Sequence, residues 1–476
     1  MSDDDPLLSL SPEEMRRRGY AAVDRIVDHL AELEDRSPWR EFGGNFPALT
    51  PPPAEGREFD AVAAELDAAV FDNITHVDHP RFFSFVPGPG NFMGALGDLY
   101  ASGFNIFAGT WMASAGYARL ERELIAWIAG AFGFPDGAGG LFTSGGSAAN
   151  LTALAAARHV RLAGDMASAV IYASDQTHSA VERALRILGF RPEQYRKLES
   201  DGGFRLDPAA LERAVHEDRR AGLTPFCVVA NSGTTNTGAV DPLPALADLC
   251  DAEGLWLHVD GAYGACAAFC ARGADALTGL GRADSIAFDP HKWLFQPFEI
   301  GGVLVRDPAH LRDAFDVRPE YLRDTATMSG EINFCEFGPQ LTRSARGLKL
   351  WLAVQCFGTE EIARAIDRGF EMAEFAGDRL AGLPDWEVVT PAGMGVITFR
   401  AAPEGWDGAA CDALNDAIAR RQRAERAPDA VVTTQLRGRV VLRLCPINPR
   451  LTRDDIAGAI ARLDELKKRA RDDMSP

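Results

Sequence analysis

The chain has 476 residues, of which 46% are hydrophobic and 25% charged, enough apolar material to bury more than one core. Its formal net charge of −19 excludes broad binding to nucleic acids or anionic membranes, which demands clustered Lys and Arg. No apolar stretch reaches the roughly 18 residues of a membrane span, and the start Met1-Ser2-Asp3-Asp4-Asp5 is acidic where a secretion signal would be basic. The expectation is a cytosolic protein with neither membrane nor nucleic-acid partners.

In chain order, Ser11-Pro12-Glu13-Glu14 has the form of a capping box and predicts a helix start. Met15, Val23, Ile26, Val27 and Leu30 follow at helical spacing, an apolar face that needs a partner surface, such as another subunit. The Pro-rich stretch 46–53 cannot continue a helix and reads as an extended arm. Residues 1–85 are therefore an N-terminal segment. From 86 to 365, short β-branched or aromatic runs alternate with Ala- and Leu-rich helical stretches, the pattern of a parallel sheet covered by helices. Strands are predicted at 169–172, 226–230, 255–259, 284–288 and 302–305, apolar throughout and so buried on both faces. Residues 366–476 form a small mixed domain with a strand at 439–444 and a helix from Thr452. The fold class is α/β. The eight cysteines, at 227, 250, 266, 270, 335, 356, 411 and 445, include no CxxC pair, so packing is expected for all eight and no metal site is expected.

Four polar segments punctuate this pattern. The run Phe142-Thr143-Ser144-Gly145-Gly146-Ser147-Ala148-Ala149-Asn150 places glycines before an Ala-rich helix, an arrangement in which backbone N–H groups and a helix start face an anion. A dinucleotide fold is rejected because G-x-G-x-x-G is not satisfied. After the strand at 169–172, Ser179 is placed to cap a helix with His178 at the junction. Residues 231–238 form a hydroxyl-rich loop. Asp260 ends an apolar strand, and 32 positions later Asp289-Pro290-His291-Lys292-Trp293 sets a lysine between a histidine and an aromatic ring. A His-Lys pair alone is an ordinary surface feature, and an Asp ending a strand an ordinary turn residue. Together, a Schiff-base nucleophile, a carboxylate for a pyridinium nitrogen and an anion loop point to pyridoxal phosphate.

The motifs His79-Pro80-Arg81-Phe82-Phe83, 143–151, 174–184, Gly233-Thr234-Thr235, 258–263 and Asp289-Pro290-His291-Lys292-Trp293 come in one order across nearly the whole chain. In this the chain resembles the group II pyridoxal-phosphate decarboxylases, most of all the aromatic-L-amino-acid decarboxylase family. The resemblance implies an aspartate aminotransferase-like fold (type I) and an intertwined homodimer with active sites at the subunit interface. It implies that Lys292 holds the cofactor as a Schiff base, Asp260 keeps the pyridine nitrogen protonated, His178 stacks on one face of the ring, Ala262 lines the other and Thr235 lies near the phenolic oxygen. Gly146, Ser147 and His291 match phosphate-binding positions. Asp289 stands where many relatives have Asn, and a carboxylate donates no hydrogen bond unless protonated.

Tyr321 matches a mobile-loop tyrosine that reprotonates Cα after carbon dioxide leaves, and Arg443 an arginine that influences substrate carboxylate binding. The side-chain pocket implied by the resemblance comprises Val77, Phe85, Val86, Pro87, Gly88, Thr342 and, from the other subunit, Phe107 and Gly109. It is apolar, with no cation for a glutamate-like substrate. The expected activity is decarboxylation of an aromatic amino acid to its amine. The alternatives are an aldehyde synthase or carbon–carbon lyase using the same cofactor, and a catalytically silent scaffolding paralogue. The presence of both His178 and Tyr321 favours simple amine formation.

Overall fold

The computed structural model describes residues 7–40, 46–317, 328 and 330–474. Tyr321 lies outside the described residues. Seven strands form the main sheet: β1 (Gly139–Thr143), β2 (Ala169–Ser174), β3 (Tyr195–Leu198), β4 (Thr224–Asn231), β5 (Trp256–Gly261), β6 (Ser285–Phe288) and β7 (Gly301–Val305), in the order β1-β7-β6-β5-β4-β2-β3. Every pairing from β6 through β5, β4 and β2 to β3 is parallel, whereas β7 runs antiparallel to both β6 and β1. All five predicted strands are present and buried, because Val, Ile, Leu and Phe runs meet helices on both faces. β1 and β3 were not predicted. β1 opens on Gly139-Gly140, a poor strand former, yet Gly140 is required there: a Cβ would fall 1.9 Å from Val303 O on β7.

A second sheet, β8 (Trp386–Gly393), β9 (Val396–Ala401), β10 (Val432–Leu436) and β11 (Arg439–Leu444), is antiparallel in the order β10-β11-β9-β8. Its core unites Phe399, Leu442 and Leu444 with Ile418 and Leu463 from the helices Gly408–Ala424 and Arg453–Met474. The helix Thr359–Ala381 runs across position 366 and packs Met372, Ala376 and Leu380 on this core.

The helix Pro12–Glu32 starts as expected, with Ser11 Oγ accepting from Glu14 N at 3.2 Å. The capping box is only half formed, since the Glu14 carboxylate turns instead to Arg17 and Arg18 at 2.9 and 2.6 Å. None of the helix's residues is buried, and Met15, Ile26 and Val27 are exposed. Residues 46–53 contain no helix or strand. Further on, Phe83 N donates to Ala430 O (2.9 Å) and Cys445 N to Phe83 O (3.1 Å), so the segment threads into the small sheet's domain. Packing does not explain all eight cysteines: Cys356 is exposed on the helix Gly347–Phe357 and Cys335 is half-buried. Among the described residues no helix is long and apolar enough to cross a membrane.

Candidate active site

The parallel strands deliver their carboxyl ends to one edge, the place where open α/β sheets bind ligands. Because β1 and β6 are each antiparallel to β7, β1 points the same way as β6 and its end reaches the same edge. There Ser144 to Ala148, Asn150, His178, Ala180, Ala262, Asp289, His291 and Lys292 line a cleft of about 310 Å³. Of the predicted residues, Gly146, Ser147, His178, Ala262, Asp289, His291 and Lys292 are thus brought together. Asp260 sits beneath them at the end of β5, buried, with Oδ1 accepting from Ala262 N at 3.2 Å. Thr235 is half-buried in the loop after β4, outside the cleft lining.

Three devices set this geometry. The 17-residue helix Gly146–Leu162 begins with no side-chain cap at Gly145, leaving its first N–H groups to face the cleft. A Cβ at Gly146 would come within 2.6 Å of Ala262 Cβ and 3.0 Å of Asp289 Oδ2, so the loop is pressed onto the floor of the site. The Lys292 ammonium lies 3.0 Å from Asp289 Oδ2, and His291 Nε2 lies 3.6 Å from the same oxygen. His291 Nδ1 is 2.6 Å from Ile300 O, a group that only accepts, so Nδ1 carries the proton. Burial lowers the pKa of His291 and favours its neutral ring.

His178 is itself the N-cap, its Nδ1 accepting from Ala180 N at 3.2 Å, with Ser179 the first helical residue rather than the cap. It is positioned from below. Asn231 Nδ2 donates to Thr177 Oγ1 (3.1 Å) and to Asp241 Oδ2 (2.9 Å), and Asp241 also accepts from the N–H groups of Leu206 and Asn231, both at 2.7 Å. Burial raises the pKa of Asp241 to about 6 against the pull of those donors.

Sequence reasoning missed the tie between β5 and the loop. His258, fully buried two residues before Asp260, has Nε2 2.7 Å from Asn150 Oδ1 and Nδ1 2.9 Å from Ser285 Oγ, which accepts from Trp256 Nε1 at 2.8 Å. One direction satisfies both ring nitrogens: the indole and hydroxyl protons point toward Nδ1, and Nε2–H points to Asn150 Oδ1, whose own Nδ2 is buried without a partner. Burial pulls the His258 pKa down to about 4. Asn150 stood within the recognised loop, and a polar residue inside an Ala-rich helix was the available signal.

The expected substrate residues form a separate group. Arg443, buried on β11, donates from Nε to Asn236 O (3.2 Å) and from Nη1 to Phe85 O, while Nη2 is buried without a partner. Phe85 has a positive φ of 53° and is 64% exposed, Val86 is half-buried and Pro87 buried. Phe107, half-buried, and Thr342, exposed, are brought near each other by Ala108 N donating to Arg343 O at 3.0 Å, and neither lines the Lys292 cleft of its own chain. One His/Asp group among the described residues has metal-ligand spacing, His29, His76 and Asp78, and none of the three lines the cleft.

A lysine between a helix-start anion cradle and a strand-end carboxylate fits pyridoxal phosphate: Gly145 to Ser147 for the phosphate, Lys292 for the aldehyde, Asp260 for the ring nitrogen. The class is a pyridoxal-phosphate enzyme on an α/β fold. Residues 48–402 match the pyridoxal-dependent decarboxylase conserved domain, and the chain belongs to that family of carboxy-lyases. It is 45% identical over 465 residues to an aromatic-L-amino-acid decarboxylase of Bacillus atrophaeus, covering 96% of each chain. It is 31% identical to a phenylacetaldehyde synthase of Petunia hybrida, over 82% of this chain and 80% of that protein. Its fold superposes on a crystal structure of Oryza sativa TDC with PLP and tryptamine with a TM-score of 0.89 and 29% identity, over 98% and 99% of the two chains.

Proposed function

We propose that this enzyme is a cytosolic homodimer that converts an aromatic L-amino acid, whether tyrosine, phenylalanine, tryptophan or a hydroxylated form, into its amine and carbon dioxide. The observation that carries the reading is the Lys292 cleft, with its anion cradle on one side and the Asp260 carboxylate beneath. Similarity to the Bacillus aromatic decarboxylase over 96% of both chains supports the substrate class.

Bound pyridoxal phosphate supplies a conjugated ring that accepts the electron pair released with carbon dioxide. The protein's part is placement. Asp260, buried at the end of β5, would stabilise a proton on the ring nitrogen. His178 and Ala262, which both line the cleft, would hold opposite faces of the ring. Lys292 offers its amine from a position set by Asp289. Arg443 Nη2 is the one nitrogen of that guanidinium with no partner, and its two N–H groups are left for a substrate carboxylate after two backbone carbonyls are served. Phe85, Val86, Pro87 and Thr342 bring no cation, which disfavours acidic substrate side chains. Tyr321 would return the proton to Cα. The exposed apolar face of Pro12–Glu32, and the absence of Phe107 and Gly109 from the cleft of their own chain, support a second copy that completes the site.

The test is product analysis. Purified cofactor-loaded enzyme incubated with a panel of amino acids should release equimolar amine and carbon dioxide from aromatic substrates and none from glutamate. Stoichiometric aldehyde with peroxide would assign it instead with the phenylacetaldehyde synthases, and bound cofactor without turnover on any amino acid would mark a silent paralogue. Borohydride reduction should tag Lys292, and sedimentation should give twice the chain mass.

A further inference from the structure

Asp289 is 2% exposed and lies under the glycine loop, on the floor of the phosphate cradle. The Cβ positions of Gly146 and Gly301 would fall 3.0 and 2.6 Å from its two oxygens, so the carboxylate cannot turn out to solvent. Oδ2 is held by the Lys292 ammonium at 3.0 Å, and Oδ1 is buried with no hydrogen-bond partner. The other titratable groups facing it are His291, whose buried ring is driven neutral, and Cys266, whose thiol burial keeps protonated. The packed backbone of Gly145, Gly146, Ala262 and Gly301 brings no charge. Lys292 is therefore the sole cation facing Asp289 among the described residues, and it is the nitrogen that the cofactor must take.

We propose that Asp289 is a proton-coupled ligand of the cofactor phosphate. It is an ion-paired carboxylate before the cofactor arrives, and it takes one proton from solvent as the cofactor docks, becoming a neutral acid whose O–H points at the phosphate. Two changes drive the uptake. Lys292 leaves its oxygen to condense with the aldehyde: a C=N bond forms, the carbonyl oxygen departs as water with two ammonium protons, and the third proton stays on nitrogen. The same docking brings a phosphate dianion over a carboxylate whose counter-charge has moved away with the lysine nitrogen, and protonation turns repulsion into a hydrogen bond. The inference concerns cofactor capture and holds whichever amino acid is consumed.

The test is calorimetry of pyridoxal phosphate binding to apoprotein above pH 7, where the cofactor phosphate, with a second pKa of about 6 like other phosphate monoesters, is already a dianion. Titrations in two buffers of different ionisation enthalpy count protons. Wild type should take up about one proton more than Asp289→Asn, whose amide donates permanently, and its Kd should rise relative to that variant by up to about tenfold per pH unit. Equal proton counts and parallel pH profiles overturn the proposal. Should the Asn variant fail to fold, wild type alone decides: an infrared difference spectrum should gain a carboxylic-acid carbonyl band on binding pyridoxal phosphate and none on binding pyridoxal, which lacks the phosphate. Absence of that band with the phosphorylated cofactor overturns it equally.

Discussion

Replacing His258 with Gln removes a titrating group from the centre of the site while leaving an N–H able to reach Asn150 Oδ1. In the folded chain burial holds the His258 pKa at about 4, against an ordinary 6.5. Between these values the unfolded chain binds the proton and the folded chain does not, so stability rises with pH across the window and is lost as pH falls from 6.5 towards 4. At pH 4.5 the loss attributable to this one ring is about 2.5 kcal/mol, from the 1.36 kcal/mol that each unit of displacement represents. At pH 7 the variant should be less stable than wild type, because Ser285 Oγ loses its acceptor in a buried position, at about 1–3 kcal/mol. The measurement is urea unfolding of apoprotein at pH 7 and pH 4.5 for both chains. Contributions from carboxylates and from His76, His79 and His291 cancel in the comparison. The drop between the two pH values should be smaller in His258→Gln by about 2.5 kcal/mol. Identical drops would refute the claim that this ring is held neutral in the native state.

Substitutions at three further positions test the same geometry. Glu121→Ala strands the Arg343 guanidinium, now bound at 2.5 Å in a fully buried pair, and should cost about 3–5 kcal/mol in chemical denaturation, with Glu121→Gln milder. The same variant should weaken cofactor binding, because Glu121 accepts from Phe142 N at 2.9 Å just before the phosphate loop. Gly146→Val overpacks the cradle against Ala262 by about 1–3 kcal/mol, read as a roughly 5- to 150-fold loss of pyridoxal-phosphate affinity in a fluorescence titration. Arg443→Lys supplies one point charge where a fork served two carbonyls and kept its third nitrogen unpaired, so KM for the amino acid should rise more than kcat falls in steady-state assays.

The sheet was readable where burial on both faces wrote continuous apolar runs, and Lys292 and Asp260 stood out because charged residues closely followed or ended those runs. What escaped has a common cause. β1 opens on two glycines, of which Gly140 is required by the close approach of β7, so composition argued against the strand that the packing needs. His178 caps its own helix through a ring nitrogen, an atom that cap statistics on Ser, Thr, Asp and Asn do not anticipate. Glu14 found two arginines one turn away, and the expected reciprocal cap gave way to charge pairing. The links from His258 to Asn150 and from Arg443 to Phe85 span 108 and 358 positions, and no local pattern encodes a contact at that range.

Strand direction explains why so many separate segments meet in one cleft. β7 is the lone reversed strand of the main sheet, and β1 pairs with it antiparallel, so two reversals restore the sense of β6. Thr143, Ser174, Asn231, Gly261 and Phe288 consequently end on a single edge, and four of them are followed at once by a segment that reaches the cleft: the phosphate loop, the approach to His178, Ala262, and Asp289 with Lys292. A parallel β1 beside β7 would have carried the glycine loop to the opposite edge. Arg443 then closes the arrangement from the second sheet, because its two bonded nitrogens tie β11 to Phe85 and to Asn236, whose own side chain accepts from Thr434 Oγ1 at 3.0 Å. The second sheet is therefore tied to the Phe85 segment and to the loop after β4 through hydrogen bonds to backbone carbonyls, which no side-chain change at Phe85 or Asn236 removes, whereas a change at Arg443 releases both at once.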